Sequence, residues 1–179
     1  MSAKEDKELV IDFLNGNEAA FNLLVRKYQN KIYWYARRML GNHSDADEVT
    51  QEVLITLYEK LNTFKFESSL STWIYKITNS KTLNLIRKQK VREFMSLDKI
   101  FNKSTSDDII NDFENAEKLE LLEKALKQIP PKQREVFVLR HFEELSYNEI
   151  AEITGKAVGT LKANYFHALK KITELINNE

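Results

Sequence analysis

The sequence predicts an all-α protein made of two small helical domains joined by a linker, with a helix-turn-helix in the second domain. Three observations lead to this prediction. The 179 residues include only four glycines and two prolines, too few for the many tight turns of a β-rich chain. Apolar residues recur along most of the chain at the three-then-four spacing of amphipathic helices. A chain of this length accommodates one ordinary domain or two small helical ones.

The first helices follow from this spacing and from its interruptions. Apolar residues from Phe21 to Met39 form one stripe, and Gly41 is expected to end that helix. The next helix is predicted to begin after Ser44, acting as its N-cap, and to run to Leu61. Its acidic first turn suits the positive end of a helix dipole.

A polar interruption at 65–71 separates this helix from another one, in which Trp73 begins an inward-facing pattern and Arg92 lies in a basic last turn. The periodicity then dissolves and resumes near Leu119. We therefore expect a first domain over 1–92, an acidic linker over 93–117 and a second domain over 118–179.

The charge of the chain is balanced overall but uneven along it. Lys and Arg number 27, as do Asp and Glu, which excludes a globally basic protein that coats nucleic acid. Residues 1–92 carry 15 basic and 11 acidic side chains, whereas 93–131 carry 5 and 9. The net charge of zero therefore combines a basic N-terminal segment with an acidic central segment.

Several classes of chemistry are excluded by what the chain lacks. There is no cysteine for a disulfide framework or a thiolate zinc site, and there are three histidines. No apolar run approaches the roughly 18 residues of a membrane span, and the N-terminus does not read as a secretory signal. We expect a cytoplasmic protein with no cofactor, no metal and no small-molecule substrate.

The second domain contains the clearest local motif. Ser146 and Glu149 form a capping box, so a helix should begin at Tyr147, and Gly155 supplies the turn of a helix-turn-helix. The following helix has an apolar seam and an opposite polar face that suits a DNA major groove. A helical hairpin whose polar face only meets water is the alternative. The polar face consists of Thr160, Lys162, Asn164, His167, Lys170 and Lys171.

Three stretches in order carry a resemblance to one family. They are 45–53 (DADEVTQEV), 64–77 (FKFESSLSTWIYKI) with Asn79 on the same helix, and 129–137 (IPPKQREVF) followed by the helix-turn-helix. Together they resemble the extracytoplasmic-function (ECF) sigma factors, the two-domain promoter-recognition subunits of bacterial RNA polymerase. The resemblance implies a sigma factor that binds core RNA polymerase and promoter DNA and is itself no enzyme.

In that family the helix resembling 45–61 docks on the clamp helices of the polymerase β′ subunit. Carboxylates on successive turns can accept charge-assisted hydrogen bonds from arginines of a partner helix. The alternative for the acidic pair is a simple complement to the helix dipole. The resemblance implies a polymerase-binding set of Asp47, Glu48, Gln51 and Glu52.

The second stretch resembles the part that opens the minus-ten promoter element and captures an unstacked base. Such a site needs polar groups for the base edge, apolar surface for its face and cations for the backbone. Trp73 is expected to pack in the core more than to serve as a surface on which a base stacks. Asn84 stands where many relatives carry aspartate. The implied minus-ten set is Glu67, Ser68, Ser69, Tyr75, Lys76, Asn79, Lys81, Arg87 and Lys88.

The helix-turn-helix is implied to bind the minus-thirty-five element through its polar face, and the preceding helix, 132–142, to meet the polymerase β flap. Ala157 stands where relatives often have a capping serine, and an arginine often present near Asn164 is absent. With few cations, this domain is expected to bind DNA weakly alone. An anti-sigma factor is a further implied partner. The acidic linker is either a tether or a segment that follows a nucleic-acid channel.

Two other function classes remain open at this point. One is a helix-turn-helix regulator that binds an operator without being a polymerase subunit, and the other is a helical adaptor that binds only protein. An enzyme is disfavoured because the chain has no Gly-rich phosphate loop, no HExxH pair and no nucleophile with an evident base.

Overall fold

The computed structural model describes residues 5–95 and 113–177, and within these ranges the secondary structure is helical and contains no strand. The predicted all-α fold of two small domains is confirmed. The helices are α1 (Asp6–Leu14), α2 (Glu18–Leu40), α3 (His43–Lys60), a 3-10 turn (Leu61–Thr63), α4 (Leu70–Met95), α5 (Phe113–Gln128), α6 (Pro131–His141), α7 (Tyr147–Thr154) and α8 (Val158–Asn177).

The N-terminal bundle consists of α1 to α4, of which α1 was not predicted. Gly41 ends α2 in the left-handed region at φ 78°, as predicted. The predicted N-cap of α3 is wrong by two residues. Asn42 caps this helix, because its Oδ1 accepts a hydrogen bond from the backbone N–H of Asp45 at 2.8 Å, which places Ser44 inside the first turn.

The C-terminal bundle consists of α5 to α8 and has the predicted helix-turn-helix. The capping box of Ser146 and Glu149 is present at the start of α7, and Gly155 ends that helix at φ 69°. On α8 the predicted seam faces inward, with Leu161, Ala168 and Ile172 buried. The capping box and the turn glycine therefore predicted the start and the end of α7 correctly.

Helix covers both ends of the segment expected as a linker. Helix α4 continues to Met95 and α5 begins at Phe113. Residues 96–112 lie outside the described part of the chain.

The two bundles pack against each other. Helix α4 contacts α7, and α2 contacts both α5 and α6. The second apolar cluster includes Tyr35, Met39 and Tyr75 of the N-terminal bundle beside residues of α6 and α7 such as Val136 and Ile150. The core of the C-terminal bundle is therefore completed by residues from the N-terminal one. Among the described helices, none has the length and apolar character that a membrane crossing requires.

Candidate protein-docking and nucleic-acid interfaces

The predicted polymerase-binding set forms one exposed face of α3. Asp47, Glu48, Gln51 and Glu52 are all exposed and lie at helical positions that share a face. Gln51 donates a hydrogen bond to Asp47 at 3.5 Å, and Glu52 pairs with Lys81 of α4 at 3.3 Å. The side chains that pack inward from α3, including Val49 and Val53, hold this acidic face outward.

The loop between α3 and α4 is anchored by aromatic residues. Phe64 is buried and its ring is tilted against that of Trp73, with ring centroids 5.3 Å apart, so Trp73 packs against the core as expected. Ser69 caps α4: its Oγ accepts a hydrogen bond from the backbone N–H of Thr72 at 3.0 Å. Glu67 is exposed and Ser68 is half-buried.

Phe66 is a candidate base-stacking residue that the sequence reasoning missed. It lies between Phe64 and Glu67, is 41% exposed as a residue and has φ at 58°, a left-handed conformation that is uncommon for a bulky side chain. Lys7 lies over the ring at 6.0 Å. The sequence signal from which this role could have been predicted is an aromatic residue set among polar neighbours within the loop motif.

Helix α4 places its predicted cations on an accessible side. Lys76, Arg87 and Lys88 are exposed, whereas Lys81 is half-buried and paired with Glu52. Arg87 donates a hydrogen bond to Asn84 at 3.1 Å. A groove of about 440 Å³ runs between α3 and α4 and brings acidic and basic residues of both predicted sets together. Its lining consists of Glu48, Val49, Glu52, Lys81, Asn84, Leu85, Arg87 and Lys88.

Two members of the predicted minus-ten set lie on another side of α4. Tyr75 is 3% exposed and Asn79 is 5% exposed, because both face the C-terminal bundle. Asn79 accepts a hydrogen bond from Tyr35 at 2.8 Å and donates one to Glu135 at 2.6 Å. Tyr75 donates a hydrogen bond to Glu143.

The environment of these tyrosines keeps them protonated. Burial is the main cause that raises the pKa of Tyr75, and the hydrogen bond to Glu143 raises it further. Burial also raises the pKa of Tyr35 well above its usual value, with added repulsion from Glu135 and Glu143. Both hydroxyls therefore act as hydrogen-bond donors at neutral pH.

Arginines of both bundles take part in the same contact. Arg38 lies 3.5 Å from Glu143, and its guanidinium lies 4.0 Å from the centre of the Phe142 ring. Burial lowers the pKa of Arg38, and Glu143 opposes that effect. Arg134 of α6 donates to the carbonyl oxygen of Met39, and burial lowers its pKa to about 10. The contact between the bundles is thus rich in charge.

On α8 the predicted minus-thirty-five residues are accessible. Asn164 is half-buried and the other five are exposed. Lys170 lies 4.0 Å from Glu174, which partly offsets its charge. The same helix exposes three large apolar side chains that were not predicted as site residues, Phe166 (64%), Leu169 and Ile176. The accessible surface of α8 is therefore mixed, not purely cationic.

Two family models match the chain. Residues 24–92 match the family model of sigma-70 region 2, and residues 119–172 match that of sigma-70 region 4. The ECF RNA polymerase sigma factor SigW of Bacillus subtilis is 31% identical over a 166-residue alignment that covers 87% of this chain and 88% of SigW. The ECF RNA polymerase sigma-E factor of Escherichia coli K12 is 32% identical over a 176-residue alignment that covers 93% of this chain and 92% of that factor.

Two solved structures share the fold. One is the sigma factor RpoE of Bartonella quintana in complex with the anti-sigma factor NepR, with a TM-score of 0.75 and 24% identity over 88% of this chain and 96% of that one. The other is CnrH in complex with the cytosolic domain of CnrY, with a TM-score of 0.73 and 23% identity over 97% and 98% of the chains.

These findings favour a polymerase subunit over a free-standing operator-binding regulator, because both sigma regions are matched in order and the curated relatives span nearly the whole chain. The chain belongs to the ECF sigma factors, which direct transcription initiation by RNA polymerase.

Proposed function

We propose that the exposed acidic face of α3 is the surface by which this sigma factor docks on the clamp helices of the polymerase β′ subunit. One observation carries this assignment: Asp47, Glu48, Gln51 and Glu52 form a single accessible face while the opposite face of α3 is buried. Arginines on a partner helix would find carboxylates on successive turns.

The minus-ten element binds to the loop and to α4. Glu67, Ser68 and Ser69 line the loop, and Lys76, Lys81, Arg87 and Lys88 follow the DNA backbone. Phe66 adds an exposed aromatic face on which an unstacked base can lie. Tyr75 and Asn79 become accessible to promoter DNA only when the two bundles separate, since both are buried between them.

The minus-thirty-five element binds to α8 as duplex. Thr160, Lys162 and Asn164 lie near its N-terminal end and suit base edges, whereas His167, Lys170 and Lys171 lie farther along and suit phosphates. Helix α6 meets the β flap. With few cations on α8, this bundle contributes modest affinity by itself.

The remaining parts of the proposal concern context. The chain acts in the cytoplasm and performs no chemistry itself, because the polymerase forms the phosphodiester bonds. An anti-sigma factor is a partner, a proposal supported by one structural relative, the RpoE of Bartonella quintana, which was solved with the anti-sigma factor NepR.

Run-off transcription tests the proposal. Purified chain is added to sigma-free core polymerase with a library of promoter fragments, and we expect RNA from a subset of fragments that share two sequence elements. Absence of promoter-selective RNA would contradict the proposal in favour of a protein-binding adaptor, and tight binding to one operator without polymerase would favour a free regulator.

A double substitution tests the docking surface. Gln51→Ala with Glu52→Lys should lower the affinity for core polymerase by about 30-fold, equivalent to roughly 2 kcal/mol, because one carboxylate is replaced by a repelling cation. Glu8→Lys on α1 is the matched control, since it adds a cation at an exposed site on another helix. Equal affinity of both variants would show that the docking face lies elsewhere. Circular dichroism verifies that the helices persist.

A further inference from the structure

The ring of Phe66 contacts two neighbours, one from the core and one from α1. Its centroid lies 4.8 Å from that of the buried Phe64, and the two rings are tilted by 54°. The ammonium of Lys7 lies over the Phe66 ring, 6.0 Å from its centroid. The exposed aromatic side chain of the loop is therefore supported by a core residue and has a cation beside it.

Helix α1 is fixed to α2 next to this lysine. Asp6 Oδ1 accepts a hydrogen bond from Lys27 Nζ, and Asp6 Oδ2 accepts one from Tyr28 Oη, both at 2.6 Å. Burial raises the pKa of the Tyr28 hydroxyl and the bond to Asp6 raises it further, so this group stays a donor at neutral pH. Leu9, two residues after Lys7, is buried. The backbone of Lys7 thus has a defined position beside the loop.

The side chain of Lys7 is available to a ligand. It is exposed, and Lys7 is the only basic residue of α1. Within residues 5–95 and 113–177 it forms no ion pair, whereas Lys27 and Lys81 are paired with carboxylates. A lysine over an exposed aromatic ring is held weakly, and its long flexible stem lets the ammonium move to a stronger partner. An anionic phosphate oxygen is such a partner.

The pairing of Lys7 with Phe66 matches what an unstacked nucleotide requires. Proteins bind single strands by stacking bases on aromatic side chains and by placing cations along the backbone. Phe66 supplies the first of these groups and Lys7 the second. The matched sigma-70 region 2 covers residues 24–92, and Lys7 lies outside it. A role of Lys7 would therefore extend the DNA-binding surface beyond the part of the chain that the family model matches.

We propose that Lys7 is a further DNA-binding residue, which covers Phe66 in the free protein and binds a phosphate of the single-stranded minus-ten element once an unstacked base lies on that ring. This inference rests on the proposed function. The ammonium and the base compete for the same ring, so capture of the base releases Lys7 to the phosphate. The contact belongs to the single-stranded complex and not to the binding of intact duplex.

Lys7→Ala tests this role, with Lys31→Ala as the matched control. Lys31 is also exposed and lies over an aromatic ring, 5.9 Å from the centroid of Tyr28, but Tyr28 is 3% exposed and offers no surface to a base. The assay uses holoenzyme and a promoter fragment recovered from the run-off experiment, with the non-template strand of its minus-ten element left unpaired. Lys7→Ala should lower the affinity for this fragment about fivefold, and Lys31→Ala should leave it within about twofold.

Salt dependence identifies a phosphate contact. Loss of one contact with a single-stranded backbone lowers the slope of log affinity against log salt by about 0.7. We expect this decrease for Lys7→Ala, no change for Lys31→Ala, and the wild-type slope for Lys7→Arg, which keeps the charge. An unchanged slope for Lys7→Ala would overturn the proposal, whatever its affinity.

A neutral backbone linkage locates the contact. Methylphosphonate, which carries no charge, replaces one phosphate of the unpaired minus-ten strand at a time. At one linkage it should weaken binding of the wild type about fivefold and binding of Lys7→Ala by less than about twofold, because that variant no longer uses the phosphate charge. Equal losses for both proteins at every linkage would overturn the proposal.

The affinity for core polymerase separates this role from docking. It should be that of the wild type for Lys7→Ala and Lys31→Ala, since both lysines lie outside the acidic face of α3. A lower affinity of Lys7→Ala for core polymerase would place Lys7 in the docking surface and would overturn the proposal. Circular dichroism verifies the helices of both variants.

The failure of this inference is distinguishable from that of the proposed function. If the wild-type holoenzyme yields no promoter-selective RNA, the proposed function fails. If it transcribes and Lys7→Ala keeps the wild-type salt slope, only the role of Lys7 fails.

Discussion

Helices α4 and α8 carry the two sets of predicted promoter-binding residues but present them differently. On α8 every member of the set is at least partly accessible. On α4 the cations are accessible, while Tyr75 and Asn79 are buried against the other bundle. A polar helix face can therefore meet solvent, a ligand or another part of the same chain, and the three cases look alike in sequence.

The two faces of α8 give the largest expected effect. Leu161 is fully buried and Leu169 is 42% exposed on the same helix. Leu161→Ala should lower the free energy of unfolding by about 2–5 kcal/mol, through lost burial and the cavity left behind. Leu169→Ala should change it by about 0.5 kcal/mol or less. Urea unfolding measures both, and similar losses would show that α8 is oriented differently.

The cations of α4 and α8 give the next largest effect. Arg87 and Lys88 changed together to Ala should reduce holoenzyme affinity for promoter DNA about tenfold and lower the slope of log affinity against log salt by about 2. Lys170 and Lys171 changed together should lower that slope by about 1, because Glu174 already offsets Lys170.

Binding measured from about 50 to 200 mM salt compares the two pairs. Equal slopes for both variants would contradict the expected difference between the cations of α4 and those of α8 in phosphate binding. Lys31→Ala on α2 is the control, since Lys31 is an exposed cation outside both sets.

The cap of the helix-turn-helix gives a smaller effect. Ser146 Oγ accepts a hydrogen bond from the backbone N–H of Glu149 at 3.2 Å. Ser146→Ala should lower the stability of the C-terminal bundle by about 1 kcal/mol. Ser80→Ala, at an exposed position inside α4, should have no comparable cost. Thermal unfolding followed by circular dichroism distinguishes the two variants.

The smallest expected effect depends on pH. The Ser146 hydroxyl and then its backbone N–H, through hydrogen bonding, lower the pKa of Glu149 below its usual value. Because the folded-state pKa is the lower one, the stabilisation is complete above the unfolded pKa of about 4.3 and is lost as the pH falls through the folded pKa. The carboxyl is largely exposed, so the effect should be under about 1 kcal/mol.

Unfolding of the wild type and of Glu149→Gln, measured from pH 7 to pH 3, tests this sign. The difference between the two should shrink as the pH falls. A difference that grows on acidification would contradict the assignment.

Local signals in the sequence predicted the helix-turn-helix, because a capping box and a turn glycine determine the backbone conformation of residues only a few positions away. The N-cap of α3 was misplaced because Asn42 and Ser44 are both good capping residues, and only backbone geometry separates them. Helix α1, which was not predicted, has a short apolar stripe followed by Gly16. This signal is too weak to distinguish it from a polar N-terminus.

The residues of the candidate site were predictable where the exposure of a side chain follows from the helical periodicity of the apolar residues. The acidic face of α3 and the cations of α4 lie opposite apolar seams, so their accessibility follows from helical geometry. The burial of Tyr75 and Asn79 depends on contacts with the other bundle. Asn79 is bonded to Glu135, 56 residues further along the chain, and Tyr75 to Glu143, 68 residues further along. No local pattern encodes a pairing at that separation.

The position of Arg38 between two aromatic rings has a practical consequence. Its guanidinium lies over Trp34 at 5.6 Å and over Phe142 of the other bundle at 4.0 Å, and Trp73, the second tryptophan, packs into the N-terminal core. Separation of the bundles removes Phe142 from this stack and alters the surroundings of one indole while leaving the other unchanged. The unlabelled chain therefore contains its own fluorescent reporter, through which a separation of the bundles can be followed in real time by stopped-flow mixing with polymerase.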